Sequence, residues 1–492
     1  MSLTRTKSID ELIAASEQHP GRLRRTLGLW SLVAIGVGLV IGSGIFTMTG
    51  TAAAGMNYEA SSILKAPLLA ILTGQQTVGT FGRPGAGPAL SISFLLVAIT
   101  CGFAALCYAE LASMIPVAGS AYTYAYATLG EIFAWIIGWD LILEYAVADM
   151  AVAVGFSAYF NDLLDNVFGI HLPAHFANPV FVEGRATGAW FNVPAFLLVL
   201  ILTWLLVRGV RESFRANAIL VSFKVAAILA FIFGAARAVD TRNWQPFMPN
   251  GIPGMLTGAA IVFFAYIGFD SLSTTAEECK NPQRDLPRGI LITLGTCAVL
   301  YAAVALVLTG VAHWTTLNNA APVANALQAL GFNRLRFVVT VAALLGMTTS
   351  VLIGQYGQTR IWFAMSRDRL LPGMFCKVHP KFQTPHISTW IAGLAVAVPA
   401  GVWDIGTFGD LTNIGTLFAF VVVAVGVIVL RRTQPGRHRS FRVPWVPLLP
   451  VLAIASCLVL MLSLPLETWI RFVVWLIIGL GIYFGYSRKR VA

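Results

Sequence analysis

Apolar stretches long enough to cross a membrane recur along almost the whole chain. A helix needs about 20 apolar residues to cross the hydrocarbon core of a bilayer, and such stretches run from residue 29 nearly to the end of the 492 residues. Only 11% of the residues are charged and 57% are hydrophobic, whereas soluble domains carry roughly a quarter charged residues. The pattern predicts an all-α integral membrane protein and leaves no segment for a separate soluble domain.

The apolar stretches predict twelve transmembrane helices in one domain at residues 29–486, between a cytoplasmic segment at 1–28 and a cytoplasmic tail at 487–492. Residues 56–84 form an insertion in the first external loop that is too short and too broken for a further span, and they predict a short external or interfacial helix. The predicted spans are 29–54, 88–110, 131–158, 190–208, 216–236, 253–276, 289–312, 336–365, 387–403, 410–430, 445–464 and 468–486.

Lysine and arginine are concentrated in every second loop between the predicted spans. The net charge of +11 therefore indicates the orientation of the chain in the membrane rather than nucleic-acid binding. Cytoplasmic loops carry the excess of basic residues in bacterial membrane proteins. The alternation places both termini in the cytoplasm and the chain in the inner (plasma) membrane. The residues assigned to the cytoplasmic side are Arg22, Arg24, Arg25, Arg208, Arg211, Arg215, Lys280, Arg284, Arg288, Arg367, Arg369, Lys377, Lys381, Arg431, Arg432, Arg437, Arg439, Arg442, Arg488, Lys489 and Arg490.

Two predicted spans contain an interruption near mid-membrane. The first holds Gly42-Ser43-Gly44 and the sixth holds Gly268 beside Asp270. An interrupted helix is tolerated in a membrane only where it lines an enclosed cavity, and a pair of such helices in the two halves of a chain indicates a transporter binding site. The alternative interpretation is that the glycines in the first span allow close packing against another helix.

The interruptions supply binding groups without charged side chains. A carboxylate suits the N–H groups around Ser43, Gly44 and Ile45, because a new helix begins there. An ammonium group suits the carbonyl oxygens near Ile41 and in residues 264–267. These positions therefore predict a site for the backbone of an amino acid.

Lys224 is a further candidate, because ionisable residues inside a span are costly and usually functional. With a rise of about 1.5 Å per residue, it lies roughly 12 Å inside the fifth span. Either its amine extends back to the membrane surface, or it binds and releases a proton during transport. We assign it to proton coupling.

Carboxylates on the third predicted span form another candidate group. Asp140 and Glu144 stand four residues apart and therefore share a helix face, with Glu144 closer to the middle of the span. Glu144 is the better candidate for facing the cavity, although both residues also suit a purely structural network. Glu110, Asp149 and Asp270 lie nearer span ends and are expected to be mainly structural.

In the order of its motifs, the chain resembles the amino acid, polyamine and organocation superfamily, and within it the cationic amino acid transporter branch. The motifs span nearly the whole sequence, which makes the resemblance specific. They are Gly42-Ser43-Gly44-Ile45-Phe46, Cys107-Tyr108-Ala109-Glu110-Leu111, Gly119-Ser120-Ala121-Tyr122, Gly138-Trp139-Asp140-Leu141-Ile142-Leu143-Glu144-Tyr145, Phe263 to Asp270, Glu277-Glu278, Asn281-Pro282-Gln283-Arg284, Tyr356-Gly357-Gln358-Thr359-Arg360, Leu411 to Thr416 and Phe441-Arg442-Val443-Pro444.

The resemblance implies the fold of the sodium-coupled neurotransmitter transporters (the LeuT fold), a five-plus-five inverted repeat with two additional C-terminal helices. It implies a site that includes Glu144 in the cavity and Lys224 in place of a sodium ion, and it points to Gln355 as a residue that limits side-chain room. It also implies that the unwound parts of helices 1 and 6 hold the substrate backbone, here through Gly42, Ser43, Gly44, Phe264, Ala265 and Ile267. The insertion at 56–84 departs from the bacterial pattern.

The sequence therefore predicts a proton-coupled, alternating-access importer of L-amino acids, with protons and membrane lipid as its other partners. The alternatives are a proton-independent uniporter or exchanger of cationic amino acids and an amino acid sensor that does not transport. No enzyme activity, cofactor or metal is expected, because the histidines lie outside the span interiors and no Walker motif is present. The sequence leaves open which amino acid is carried, the oligomeric state, and whether a small accessory membrane subunit packs on the bundle.

Overall fold

A computed structural model describes residues 6–17, 27–57, 63–74, 82–117, 119–182, 185–209, 214–270, 272–273, 279–319, 321–382 and 384–491. Several basic residues assigned to the cytoplasm, Arg22, Arg24, Arg25 and Arg211, lie outside the described residues. The motif Glu277-Glu278 also lies outside them.

The described chain is mainly helical, with two small antiparallel ribbons. The strands are β1 (Gly55–Asn57) paired with β2 (Gly82–Pro84), and β3 (Phe181–Val182) paired with β4 (Arg185–Ala186). The helices are α1 (Ile9–Glu17), α2 (Leu29–Val40), α3 (Thr49–Ala54), α4 (Leu68–Thr73), α5 (Leu90–Met114), α6 (Ser120–Thr128), α7 (Glu131–Leu163), α8 (Ala174–Ala177), α9 (Val193–Arg208), α10 (Phe214–Ala235), α11 (Gly251–Val262), α12 (Pro282–Val311), α13 (Pro322–Ala329), α14 (Asn333–Arg367), α15 (His386–Ala400), α16 (Ile405–Thr433), α17 (Leu448–Leu462), α18 (Leu466–Ile482) and α19 (Arg488–Val491).

Eight helical segments of the described chain are long and apolar enough to cross a membrane. Four further apolar helices, α9, α11, α15 and α17, are shorter than the roughly 20 residues that a full crossing takes. Each of the twelve predicted spans overlaps one of these twelve segments. A multi-helix membrane protein is thus confirmed, and the count of twelve crossings and the inverted repeat stay predictions.

The insertion at 56–84 contains the short helix α4, as predicted, and an unpredicted ribbon. Strand β1 continues directly from α3, and β2 returns beside it with Met56 opposite Arg83. The far part of the insertion contacts the start of α18: the Leu68 N–H donates to the Leu464 carbonyl at 3.0 Å, and the Lys65 amine lies 2.8 Å from the Glu467 carboxylate. The insertion is therefore closed at its base by the ribbon and fixed to the helical bundle through Lys65 and Leu68 in its middle.

The bundle is organised around the long helices α5, α7 and α12. Helix α12 packs along α5 and also against α2, whereas α14 and α16 both pack along α7. The apolar side chains between these helices form one continuous buried cluster. The interrupted helices α2–α3 and α11 lie within this arrangement, with α10 and α14 against α2.

A buried ion cluster ties α5 to the C-terminal end of α16 and to the loop that follows it. Glu110, 1% exposed, accepts hydrogen bonds from Arg431 Nε at 2.8 Å and Arg431 Nη2 at 2.7 Å. It also accepts from Arg439 Nε at 3.1 Å and from the Val443 N–H at 2.7 Å. Four donors on one carboxylate agree with the structural role expected for Glu110.

Replacing this carboxylate by an amide tests the cluster. We expect Glu110→Gln to lower the free energy of unfolding by about 3 to 5 kcal/mol, because removing one member of a buried ion pair leaves buried charge uncompensated. Thermal unfolding of the purified protein in detergent measures the effect. The matched control is Asp10→Asn, because Asp10 contacts Arg437 with a side chain that is 81% exposed, and exposed pairs contribute little. Equal melting temperatures for both variants and the wild type would contradict the assignment.

Candidate functional site

The first predicted span is interrupted at the expected residues. Helix α2 ends at Val40, Ile41 adopts φ −79° and ψ 84°, and the Gly42 N–H donates to the Val40 carbonyl at 3.0 Å. That bond closes a much tighter turn than the helical bond to the fourth preceding residue. The chain then resumes as a wide π-helical turn at Gly44–Met48 before α3. The α2–α3 break is thus residues 41–43.

The sixth predicted span is interrupted as well. Helix α11 ends at Val262, and a tighter 3₁₀ turn covers Phe263–Tyr266. Ile267 is extended, with ψ 136°, and Gly268 has φ +118°. That φ strongly favours glycine, because a Cβ clashes with the backbone in this region. The α11 break thus covers residues 263–268. Half of the remainder predicted for this span, residues 271 and 274–276, lies outside the described residues.

The α11 break contacts the residues on either side of the α2–α3 break. A Cβ built on Gly44 would collide with the backbone Cα of Ala265, and a Cβ on Gly268 would lie 3.3 Å from the Cβ of Leu39. The surrounding residues are buried: Ser43 is 0% exposed and Phe264 is 6% exposed. Close packing of the two helices and their interruption therefore occur at the same place. Gly44 and Gly268 allow the close approach, and Gly268 also allows the backbone conformation of the break.

Side chains from other helices hold carbonyl groups that the breaks release from helical bonding. The Tyr301 hydroxyl of α12 donates to the Val40 carbonyl at 2.7 Å. The Asn413 amide of α16 donates to the Ala260 carbonyl at 2.8 Å. Backbone groups inside a membrane need such partners when the helix is broken. Tyr301 carries no charge and lies in no quoted motif, and Asn413 was indicated only as part of the motif Leu411 to Thr416.

Lys224 of α10 binds the α2–α3 break directly. Its buried amine, 0% exposed, donates to the Gly38 carbonyl at 2.9 Å and to the Ile41 carbonyl at 3.4 Å. It also donates to the Gly346 carbonyl at 3.3 Å and to the Thr349 hydroxyl at 2.7 Å, both on α14. The amine therefore joins α2 to α14 instead of extending to the membrane surface.

Two serine hydroxyls flank the α2–α3 break. A Cβ on Gly42 would lie 3.0 Å from Ser350 Oγ of α14. Among the described residues, neither Ser43 Oγ nor Ser350 Oγ has a hydrogen-bond partner, although both atoms are buried. Buried hydroxyls usually have a partner, so these two groups are available to a ligand at the break. A serine inside a helix is common, and no motif distinguished Ser350.

Glu144 lies farther along the bundle from the α2–α3 break. Helix α7 meets the break at Gly155, where a Cβ would lie 3.2 Å from the Ser43 Cβ. Glu144 is eleven positions earlier in the chain, roughly 16 Å along the helix axis. There it interacts with Asp140, Asp270 and the Thr416 hydroxyl. Its predicted place in the substrate cavity stays a prediction that no contact of the described residues supports.

Gln355 contacts helix α9, whereas its predicted role in limiting side-chain room would place it at the substrate. Its side-chain oxygen accepts a hydrogen bond from the Thr203 hydroxyl of α9 at 3.3 Å. It lies about 140° around α14 from Ser350, the residue that faces the break. The described contacts therefore join Gln355 to α9 and not to the breaks, and its role in substrate selection also stays a prediction.

The contact between the breaks predicts a sharp difference between two glycine substitutions. Gly44→Ala should lower the stability by about 1 to 3 kcal/mol, the cost of overpacking a filled core, because the new methyl group meets the Ala265 backbone. Gly295→Ala is the matched control, since nothing lies within 4 Å of a Cβ at that position of α12, and alanine favours the helix. Thermal unfolding in detergent compares them. A Gly44→Ala protein as stable as the control would contradict the observed contact.

Comparison with known proteins identifies the family of the chain. Residues 27–483 match the family model described as amino acid permease. The branched-chain amino acid permease BcaP of Bacillus subtilis is 48% identical over 99% of this chain and 98% of its own length. The methylthioribose transporter of Bacillus subtilis is 46% identical over the same shares.

Relatives of the predicted cationic branch are also found. The vacuolar cationic amino acid transporter 4 of Arabidopsis thaliana is 36% identical over 88% of this chain and 68% of its own length. The superfamily resemblance is thus confirmed, although this cationic relative is less similar than the branched-chain permease. These relatives are permeases and transporters, which agrees with the expectation that the chain is not an enzyme. The chain belongs to the amino acid permease family.

Proposed function

We propose that this permease takes up L-amino acids by proton-coupled alternating access, with the substrate backbone held where the two helix breaks meet. One observation carries the proposal: the α2–α3 break, the α11 break and the Lys224 amine converge on the same buried region. Interrupted helices that meet inside a bundle are the recurring binding site of secondary transporters.

The backbone of an amino acid fits the groups at this meeting point. The helix that resumes after Gly42 offers N–H groups at its start, which attract a carboxylate. The turn at Phe263–Tyr266 ends in carbonyl groups, which attract an ammonium group. The free hydroxyls of Ser43 and Ser350 add polar partners. The predicted substrate contacts are accordingly Ile41, Gly42, Ser43, Gly44, Ile45, Phe264, Ala265 and Ile267.

Lys224 supports coupling to protons through its hydrogen-bond geometry. A protonated amine carries three N–H donors and no lone pair, which suits the four oxygens around it on α2 and α14. Loss of the proton would leave two donors and a lone pair facing other lone pairs. The protonated state thus favours contact between α2 and α14, and a change in protonation shifts the balance between two conformations.

The arrangement in the membrane follows from the charge distribution. We infer that all twelve apolar helices cross the plasma membrane as a five-plus-five repeat with two further helices, and that both termini are cytoplasmic. In the transport cycle, the bundle with the two breaks would move against the helices around α7 and α14.

Proton coupling through Lys224 is testable in proteoliposomes with an imposed pH gradient. We expect Lys224→Ala to lower gradient-driven accumulation of substrate by about tenfold or more, the effect of losing charge-assisted hydrogen bonds. Lys280→Ala is the control, because Lys280 lies at the exposed start of the segment before α12. Uptake that ignores the imposed pH gradient, with Lys224→Ala fully active, would favour proton-independent exchange instead, and full gradient-driven accumulation by Lys224→Ala would show that coupling does not depend on Lys224.

For the side chain of the substrate, we propose an aliphatic amino acid. The branched-chain permease from Bacillus subtilis is more similar than the plant cationic transporter, and a second branched-chain permease, from Lactococcus lactis, is 34% identical over 98% of the chain. Methylthioribose is the second candidate, because a transporter with that name is 46% identical. This sugar has neither a carboxylate nor an ammonium group, so it would use the breaks in a different way.

A thermal-shift screen of the purified protein separates these substrates. Leucine, isoleucine or valine should raise the melting temperature, because a ligand at about 100 times its Kd adds about 2.7 kcal/mol. Leucine methyl ester, which lacks the carboxylate, should give no shift and serves as the matched control ligand. A shift in melting temperature with methylthioribose alone would show that methylthioribose, and not an aliphatic amino acid, is the ligand. A shift with lysine or arginine alone would support the cationic alternative, and a shift without uptake would indicate a sensor.

A further inference from the structure

The insertion at 56–84 places an arginine deep inside the bundle. Arg83 on β2 is 2% exposed, although the segment that carries it lies outside the predicted spans. Its position is fixed by close backbone packing: Gly85 leaves no room for a Cβ beside the Ala53 carbonyl. In addition, the Ala86 N–H donates to the Ala52 carbonyl at 2.9 Å.

Only part of the Arg83 guanidinium group is used. Nη1 donates to Asp410 Oδ2 of α16 at 2.6 Å. Nε and Nη2 are buried and have no hydrogen-bond partner among the described residues. A guanidinium group has five N–H donors that match a carboxylate in a two-pronged geometry, and a buried charged group with unused donors is costly. Among the described residues, Arg83 is therefore incompletely satisfied.

A narrow cavity lies beside this arginine and next to the proposed substrate site. Its lining includes Met48, which ends the π-helical turn after the α2–α3 break, and Ile261, which precedes the α11 break. Asn413 also lines the cavity while donating to the carbonyl of Ala260. The cavity therefore lies between the insertion and the two interrupted helices, and no residue of either break lines it.

Two flexible side chains keep the cavity narrow. The Met48 methyl group packs against Gly409 and the Met56 methyl group packs against Gly406, both on α16. Methionine side chains change conformation easily because they are unbranched. A rearrangement of these two side chains would widen the cavity without breaking a helix.

We propose that Arg83 forms an outer carboxylate site that binds the amino acid before it reaches the helix breaks. In this site, the substrate carboxylate takes the Nε and Nη2 donors of Arg83, which have no partner among the described residues, and competes with Asp410 for the guanidinium group. Asp410 closes the site when no substrate is there. The proposal rests on the proposed transport of amino acids, and it gives the insertion a function.

The test separates a binding role for Arg83 from a purely structural ion pair. Arg83→Gln alone leaves Asp410 buried without its partner and destabilises the protein, so the double variant Arg83→Gln/Asp410→Asn is used as well. We expect the double variant to keep the wild-type leucine-induced thermal shift in detergent, because neither Arg83 nor Asp410 belongs to the proposed site at the helix breaks. Its KM for leucine uptake by cells should rise about tenfold, the effect of losing a charge-assisted pair.

Lys65→Gln is the matched control, because Lys65 also joins the insertion to the bundle through an ion pair, with Glu467, but does not line the cavity. Its KM should equal that of the wild type. A wild-type KM in the double variant would overturn the outer site and leave Arg83 with a structural role only.

If the double variant does not fold, Arg83→Lys decides the question, since it keeps the charge and loses the two-pronged geometry. An unchanged KM in Arg83→Lys would overturn the proposal, and a raised KM with an intact thermal shift would support it. A wild-type protein that neither binds nor takes up any amino acid would instead overturn the proposed function.

Discussion

A backbone inside a membrane must hydrogen-bond within the protein, and this requirement governs the centre of this structure. Each helix break releases carbonyl groups that water cannot reach. The chain supplies their partners from separate helices: Lys224 from α10, Tyr301 from α12 and Asn413 from α16. The breaks are therefore not local defects. They exist only because three other helices bring a donor to the correct depth.

This dependence connects the site to the rest of the bundle. The α2–α3 break is held by Lys224, and Lys224 also holds α14. The α11 break is held by Asn413, whose helix also carries Asp410, the partner of Arg83. A movement of either interrupted helix must therefore exchange hydrogen bonds with its neighbours. Such discrete exchanges suit a protein that moves between two states, because packed cores change by steps and not by gradual deformation.

Buried charges have two different environments in this structure. Glu110 is surrounded by donors on every side, and such saturation favours one fixed geometry. Arg83 has only one partner for three nitrogen atoms among the described residues. The first arrangement stabilises a loop, whereas the second retains the capacity to bind another carboxylate. The share of its hydrogen-bonding atoms that find a partner, rather than burial alone, distinguishes the role of Glu110 from that of Arg83.

Much of the architecture followed from the sequence alone. The twelve apolar stretches, the breaks at residues 41–43 and at Gly268, and the depth of Lys224 follow from periodicity, glycine placement and charge, all of which are local properties of the chain. The family resemblance followed from ordered local motifs.

The tertiary structure decided which side chains face the breaks. Gln355 faces α9 and Glu144 lies along α7 away from Ser43, while Ser350 and Tyr301 took places that no motif indicated. Arg83 and Asp410 are 327 residues apart in sequence, and only helix packing brings them together. Sequence periodicity shows that a residue is buried, but the neighbour it meets depends on how the helices rotate and pack.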